Sequence, residues 1–516
     1  MIEEQGDETA PAEPIQADDP KGRWTRFDLF ALIGITLTGA LLRLVRLADP
    51  KSLVFDETYY AKDACWYVYA SASACDTDTE ITWVHPPLGK WLLAIGIRIF
   101  GYDSFGWRIM AVVAGAVTIA LLYLLAKKLF RSTIAAALSS GLLAVDLLHF
   151  VQSRTAMLDI FVPLFGVAAI LFVVYDRDRI FEPPEGEKGV RARSSGLLDR
   201  PWRLAAGAAA GAAVASKWSG GFILLAVILL TVAWEITARR DQGDPHPILD
   251  FFKRESASIV VGLVLVPLAV YAFTFIGRDV SGEILANPIS DTSMTGSFVQ
   301  RQLDMADFHK NLESHHSYES PPWSWLLLKR PVSYFFETAE NGDYKEIFVT
   351  GSPFVWWTSI LALVFTFLRW IWKRDPLGPE GVIVAGFLFT YVLWLLPQFD
   401  RPAVFIFYLL PAIPFMCLAI GYVSTLIGNS WEAKAATALF SIGAIGFFIF
   451  YYPLLTKAAI PQPDWDRRVW IFDNCDMPEQ SSTTATVTQT NNGEVTTSES
   501  VGTSEETLPP PGWCWI

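Results

Sequence analysis

Apolar residues fall along this chain in runs of roughly 17 to 25, the length at which a helix crosses the hydrocarbon of a bilayer. Such runs occupy 27–47, 107–126, 133–152, 155–175, 203–217, 219–238, 256–276, 353–372, 381–397, 402–424 and 435–453. The stretch 203–238 is nearly continuous and is interrupted only by Ser216-Lys217-Trp218-Ser219-Gly220-Gly221. A lysine in mid-bilayer is costly, so this break predicts a tight hairpin at the membrane surface. Two further segments, Trp91–Phe100 and the amphipathic Phe298–Leu312, are too short or too polar to span and predict helices lying on the surface. The pattern therefore predicts an all-α polytopic membrane protein of about eleven transmembrane helices, with amphipathic juxtamembrane helices in its outer loops. Its expected divisions are an acidic, disordered tail (1–26), an N-terminal transmembrane module (27–276) carrying a first outer loop (48–106), a large outer loop (277–352), a C-terminal transmembrane module (353–453) and a Ser/Thr-rich tail (454–516).

Composition agrees with that picture, because 52% hydrophobic and only 18% charged residues exclude an ordinary soluble enzyme of this size. The net charge of -13 is concentrated toward the ends, in residues such as Glu3, Glu4, Asp7 and Glu8 and then Glu494, Glu499, Glu505 and Glu506. Acidic ends of this kind are solvated, and the absence of any Lys/Arg block argues against a nucleic-acid partner. The first apolar run starts near Phe27 and is long enough to serve as an uncleaved anchor, its start held in the cytoplasm by Lys21, Arg23 and Arg26. Short alternate connections carry Lys127, Lys128 and Arg131, then Arg239 and Arg240, then Arg369, Lys373 and Arg374, as does the basic linker 177–203. The positive-inside bias makes these cytoplasmic and puts 48–106, 277–352, the link at 398–401 and the C-terminal tail outside. Cys65 and Cys75 then share the first outer loop, and Cys475 and Cys514 share the outer tail, so two disulfides are expected.

Chemistry concentrates in Val54-Phe55-Asp56-Glu57-Thr58-Tyr59-Tyr60-Ala61-Lys62, where two adjacent carboxylates sit at the membrane edge. Ionisable groups there are a functional-site hypothesis, against the plainer reading of a surface helix start. Arg108, Arg154, Lys217, Lys329, Arg330 and Arg401 are all expected at the same depth. Each alone reads as a snorkelling cation or as the partner of an acid such as Asp159, but together they suit a lipid-linked phosphate. A carboxylate facing a cation-bound phosphate is the pairing needed for group transfer from a lipid-phosphate sugar: the acid accepts a hydroxyl proton while the cations stabilise the departing phosphate. Asp56 is taken as the base and Glu57 as its positioning partner, although the residues alone do not separate the two. His85, His149, His315 and His316 match no metal-ligand spacing. A lipid or solute transporter is the reading from another class; its ionisable groups belong near the bilayer midplane, whereas these cluster at one face.

The ordered set Phe55-Asp56-Glu57, His85-Pro86-Pro87-Leu88-Gly89-Lys90, Trp107-Arg108-Ile109, Ser153-Arg154 with Leu158-Asp159, Ser216-Lys217-Trp218, and His316-Ser317-Tyr318 through Trp325 to Arg330-Pro331 resembles the protein O-mannosyltransferase family, of the GT-C type of membrane glycosyltransferase. The resemblance covers roughly 27–453 and implies inverting transfer of mannose from a polyprenyl-phosphate donor to Ser or Thr hydroxyls of secreted proteins, with no cofactor required. It implies that Asp56 and Glu57 are catalytic and that Arg108, Arg154, Lys217 and Arg401 surround the donor phosphate. His85, Lys90, His316, Tyr318, Trp325 and Arg330 would bind substrate or position loops. The outer loop is too short for the β-trefoil insertion of fungal and animal members, Gly351-Ser352-Pro353 replaces the commoner Gly-Asn-Pro, and Tyr59-Tyr60 replaces a eukaryotic His-Phe-Gly. These departures resemble the actinobacterial branch and imply a bacterial cytoplasmic membrane and a bacterial polyprenyl donor. Secreted Ser/Thr-rich polypeptides are the expected acceptors, and protein-export machinery is the partner that would present them, because a hydroxyl must reach the base before folding hides it. A glycolipid or polysaccharide acceptor is the alternative within the same enzyme class. The tail itself, with Ser481-Ser482-Thr483-Thr484 and Thr496 to Thr507, is similar to such acceptors and is read as a self-mannosylated segment or an occupant of the acceptor groove, or else as a solvated linker inside a disulfide loop.

Overall fold

The computed structural model describes residues 24–75, 84–181, 200–276, 292–313, 316–396, 402–428, 430–469, 485–491 and 494–500. Helix α1 (Arg26–Leu44) opens on a reciprocal cap: the Thr25 hydroxyl accepts from Asp28 N, and the Asp28 carboxylate accepts from Thr25 N at 2.8 Å. Asp28 also receives Lys127 Nζ at 2.8 Å and the Tyr123 hydroxyl at 3.1 Å, which ties α1 to α4 (Ser104–Phe130).

Among the described residues, eight helical segments are long and apolar enough to cross a membrane: Arg26–Leu44, Ser104–Phe130, Leu158–Asp178, Gly220–Asp241, Pro247–Phe273, Pro353–Lys373, Ile406–Leu426 and Trp431–Leu455. The other three apolar runs are also helical but fall short of that length. The run 133–152 is divided into α5 (Thr133–Val145) and α6 (Leu147–Gln152), because Asp146 turns its carboxylate onto His149 N at 3.0 Å and caps a new helix. The run 381–397 is α14 (Pro379–Tyr391) with a 3-10 turn to Leu395, and 203–217 is α8 (Pro201–Ser216).

Numbering the remaining helices completes the frame. Helices α2 (Glu57–Tyr69) and α3 (Leu88–Phe100) occupy the first predicted outer loop; α7 (Phe161–Phe181) and α9 (Gly220–Asp241) flank α8; α10 (Pro247–Val260) and α11 (Val266–Phe273) are joined by a π-helical turn. Helix α12 (Thr292–Lys310) precedes β1 (Val332–Thr338) and β2 (Tyr344–Val349), and α13 (Pro353–Lys373), α15 (Ile413–Leu426), α16 (Trp431–Leu455) and α17 (Gln462–Val469) follow. The Gly/Ala face of α8 allows close approach: a Cβ at Gly207 would stand 1.8 Å from the Gly262 carbonyl, and one at Gly211 would stand 2.6 Å from Pro267 Cα.

The two ends of the bundle differ. At one end ion pairs lock the helix termini: the buried Arg203 meets Asp176 (3.0 Å), Glu235 and Glu255 (2.9 Å), while the exposed Lys373 meets Glu380 at 2.9 Å. At the other end the predicted outer segments pack on one another. Ser320 N donates to Val404 O at 2.9 Å, and Tyr344 and Ile460 exchange backbone hydrogen bonds at 2.8 and 3.0 Å. Helices α2 and α3 pack together there, fastened by a buried Lys90–Asp63 pair at 2.7 Å, and a Cys65–Cys75 disulfide ties the segment after α2 back to that helix.

The all-α reading carries one departure at this end. Strands β1 and β2 form an antiparallel hairpin turned at Asn341-Gly342, with Gly342 at φ 84°. The register slips between Ser333 and Phe335, so Tyr334 is the extra residue of a bulge that re-aims its ring. A second hairpin, β3 (Ala485–Asn491) with β4 (Glu494–Ser500), lies in the tail.

Candidate active site

The acidic pair straddles the start of α2, and its two carboxylates lie in opposite circumstances. Glu57 is fully buried, and four donors meet it. Arg108 Nε reaches Oε1 at 2.8 Å and Arg108 Nη2 reaches Oε2 at 2.7 Å; Ala156 N and Val54 N supply the others at 2.8 and 3.0 Å. Asp56 occupies the N-cap position with φ -68° and ψ -3°, and its side chain makes no capping bond. It is half-buried, and the bond it accepts is a long one, 3.3 Å from the Tyr60 hydroxyl. One carboxylate is thus part of the framework, while its neighbour opens into the site.

Phe55, just before Asp56, holds φ 48°, a left-handed conformation that a bulky residue adopts only when its surroundings enforce it. The Tyr334 ring stacks on it at 4.6 Å, and the rings of His316, Phe405 and Phe407 approach edge-on at 5.6, 5.7 and 5.8 Å. Tyr334 is positioned in turn by Gln152, whose Nε2 donates to its hydroxyl at 2.7 Å. The bulged hairpin and the 402–412 segment therefore set the backbone that presents Asp56.

The cation whose charge acts on Asp56 is Lys217, at the hairpin between α8 and α9. Its Nζ donates to both oxygens of Asp159 at 2.8 and 3.0 Å and lies 4.3 Å from the centre of the Tyr408 ring. Burial pushes the Asp56 carboxyl up to about 6; the charge of Lys217 and the Tyr60 hydrogen bond oppose that rise, and the charge of Asp159 reinforces it. Asp56 is thus a carboxylate without a capping bond whose proton affinity burial raises toward neutrality.

The other sequence-predicted residues separate into framework and rim. Arg108 was expected at the donor phosphate, but all five of its N–H groups are engaged, three of them by the carbonyls of Leu47, Pro50 and Ser52 at 3.2, 2.8 and 3.1 Å. It anchors Glu57 and the loop after α1 and has no donor left for a phosphate. Arg154 gives Nη1 to the carbonyls of Leu42, Arg43 and Val45 at 3.4, 2.7 and 2.6 Å, while its Nε and Nη2 meet no hydrogen-bond partner among the described residues. Lys90 is committed to Asp63 inside the α2–α3 pair, and Trp325 is buried with its Nε1 on Ser320 O at 3.0 Å. Arg330 holds Ser317 O through Nε at 2.8 Å, and the Tyr318 N–H donates to His316 Nδ1 at 3.1 Å. The exposed His316 forms the outer edge of the aromatic cluster, and the His85 ring lies 5.9 Å from Tyr60 and 5.4 Å from His309. Arg401, Cys475 and Cys514 lie outside the described residues.

This arrangement was compared with known proteins. Residues 103–277 match the family model described as dolichyl-phosphate-mannose-protein mannosyltransferase, and residues 294–473 match the C-terminal four-transmembrane region of protein-O-mannosyltransferase. The chain belongs to the protein O-mannosyltransferase family. A polyprenol-phosphate-mannose–protein mannosyltransferase of Mycolicibacterium smegmatis is 29% identical over 477 residues, covering 85% of this chain and 91% of that protein. In fold, this mannosyltransferase is similar to the Saccharomyces cerevisiae protein O-mannosyltransferase Pmt1-Pmt2 complex bound to the sugar donor: TM-score 0.68, 17% identity, 87% of this chain and 93% of that chain covered. It is also similar to ArnT from Cupriavidus metallidurans bound to undecaprenyl phosphate: TM-score 0.52, 16% identity, 85% of this chain and 69% of that chain covered. The mannosyltransferase is therefore a glycosyltransferase of the GT-C type, mostly helical and multi-spanning.

Four residues of this site carried no role in the sequence reading. Tyr60 lay inside the acidic stretch, four residues after Asp56, and a helix start at Glu57 would have placed it above the carboxylate. Gln152, Tyr334 and Tyr408 come from segments far apart in the chain, and no local pattern marks them. Asp159 was weighed as an acid for Arg154 or another cation; the structure pairs it with Lys217.

Proposed function

We propose that this enzyme transfers mannose, with inversion, from polyprenyl-phosphate mannose to Ser or Thr hydroxyls of exported polypeptides, at the outer face of a bacterial cytoplasmic membrane. The observation that carries the reading is the unequal state of the acidic pair: Glu57 is saturated by four donors, while Asp56 is open and lies within the field of Lys217. In the proposed step the acceptor hydroxyl oxygen forms a bond to the anomeric carbon of mannose as the bond from that carbon to the phosphate oxygen breaks. The hydroxyl proton passes to Asp56, and the electron pair leaves with the polyprenyl phosphate. Lys217 and Arg154 are the cations assigned to the charge that grows on the leaving phosphate. The donor already carries an activated sugar, so the step balances without a cofactor. The aromatic edge at the exposed His316 is where an extended acceptor chain reaches the base, which favours delivery before the acceptor folds, as export machinery provides.

The test uses membranes carrying the full-length enzyme, radiolabelled polyprenyl-phosphate mannose and a Ser/Thr-rich peptide. Native enzyme labels the peptide, and Asp56→Asn lowers the rate by about 10²- to 10⁴-fold. No label from native enzyme overturns the reaction; full transfer by Asp56→Asn overturns the base.

A further inference from the structure

Lys217 stands between two carboxylates, and the structure shows which one holds it. Both oxygens of Asp159 accept from its Nζ, at 2.8 and 3.0 Å, and the pair is buried, with the lysine side chain 9% exposed and the aspartate 6%. Asp56 has no cation within ion-pair distance among the described residues. The alternative pairing, Lys217 on Asp56, would neutralise the open carboxylate with the charge that the leaving phosphate needs. Which carboxylate wins is decided where Asp159 sits, in the 3-10 turn Leu158–Ile160 that leads into α7.

We propose that Asp159 is a positioning residue that tethers Lys217, keeping the cation at the phosphate side of the site and away from Asp56, so that one small pocket holds both a base and an electrophile. The proposal rests on the mannosyl-transfer reading and adds to it a residue that touches neither sugar nor acceptor. The groups acting on Asp56 are Lys217, Asp159 and Tyr60; the hydroxyls of Tyr334 and Tyr408 lie in the same field, and Glu57 and Arg108 cancel one another one residue away. Removing the Asp159 charge acts on Asp56 twice in the same direction. It deletes a neighbouring negative charge, and it releases a lysine that then pairs with Asp56. Removing the Lys217 charge acts in the opposite direction, leaving Asp159 uncompensated beside the base.

The experiment is the pH profile of kcat/KM for peptide mannosylation by full-length enzyme in membranes, compared across native, Asp159→Asn, Asp159→Glu and Lys217→Gln. Asp159→Asn is expected to move the acid limb down by about one pH unit and to lower the plateau, because a more acidic carboxyl is a weaker base. Asp159→Glu keeps the charge and returns the limb toward the native position, while Lys217→Gln moves it up. A structural role alone would scale activity by the amount of folded enzyme and leave the limb in place, and that result in Asp159→Asn overturns the proposal. Should Asp159→Asn not accumulate, Asp159→Ser carries the test: a downward shift of the limb supports the tether, and an unmoved limb overturns it. Native enzyme that transfers no mannose fails a different claim, that of the reaction itself.

Discussion

Arg108 and Glu57 face each other as a two-pronged fork, Nε to Oε1 at 2.8 Å and Nη2 to Oε2 at 2.7 Å, with less than 2% of either side chain exposed. Fully hydrogen-bonded buried pairs of this kind contribute little when intact and are costly when one partner is removed, because the other charge is then stranded. Glu57→Gln is therefore expected to destabilise the protein by about 3–5 kcal/mol. Asp56→Asn removes one long hydrogen bond and leaves stability nearly unchanged. Thermal unfolding in detergent separates the two variants: a lowered midpoint for Glu57→Gln alone agrees with the geometry, and equal midpoints would contradict it.

The pH dependence of the native reaction follows from Asp56. A base must be deprotonated to act, and burial holds this carboxyl at about 6. Below that pH, kcat/KM falls about tenfold per unit as the proton stays on; above it the rate levels off. An acid limb near pH 4 would place the base elsewhere.

Glu346 makes a prediction about stability. This residue of β2 is fully buried, its Oε2 accepts from Trp465 Nε1 at 2.8 Å, its Oε1 has no hydrogen-bond partner among the described residues, and burial pushes its carboxyl up to about 8. The folded protein thus retains a proton that the unfolded chain releases. The stabilisation is full below the ordinary glutamate value and is lost as pH rises through about 8, at up to about 1.4 kcal/mol per unit. Glu346→Gln removes this dependence, so its unfolding midpoint should rise relative to native enzyme between pH 5 and about 9. Parallel midpoints across that window would mean that Glu346 is ionised in the fold.

The Cys65–Cys75 disulfide closes a short loop between α2 and the segment leading to α3. Alkylation of unreduced enzyme followed by mass spectrometry should leave both thiols unlabelled. Cys65→Ser is expected to lower stability by about 2–4 kcal/mol, read as a shift in unfolding midpoint. Labelled Cys65 in native enzyme would refute the bridge.

Much of the fold was legible because hydrophobic runs are local: each apolar run coincides with a helical segment, and the short and amphipathic patterns at Trp91–Phe100 and Phe298–Leu312 overlap helices that begin earlier, Leu88–Phe100 and Thr292–Lys310. The number of crossings was less legible. Asp146 inside an apolar run signals a break, but only its bond from Trp356 Nε1 at 2.7 Å, 210 residues away, explains why a carboxylate is tolerated there. The hairpin was missed although Asn341-Gly342 marks its turn, since its strands lack clean alternation around the bulge. In the site, the acidic pair could be found from sequence but not divided. That division rests on Arg108, 51 positions from Glu57, and on Asp159 claiming Lys217, and pairings at such distances leave no periodic trace.

Helix α17 packs Trp465 against Glu346 and against the rings of Phe336 and Tyr344 in the hairpin that holds Tyr334 over Phe55. Asp56, the proposed base near the start of the chain, is therefore braced by residues that leave the ribosome more than 400 positions later. During synthesis the spans can insert one after another, yet the catalytic geometry is completed only when α17 arrives. A chain that stops before α17 carries Asp56 without the Trp465 contacts that brace the Tyr334 hairpin, so truncation ahead of Gln462 removes support from the proposed site without touching it.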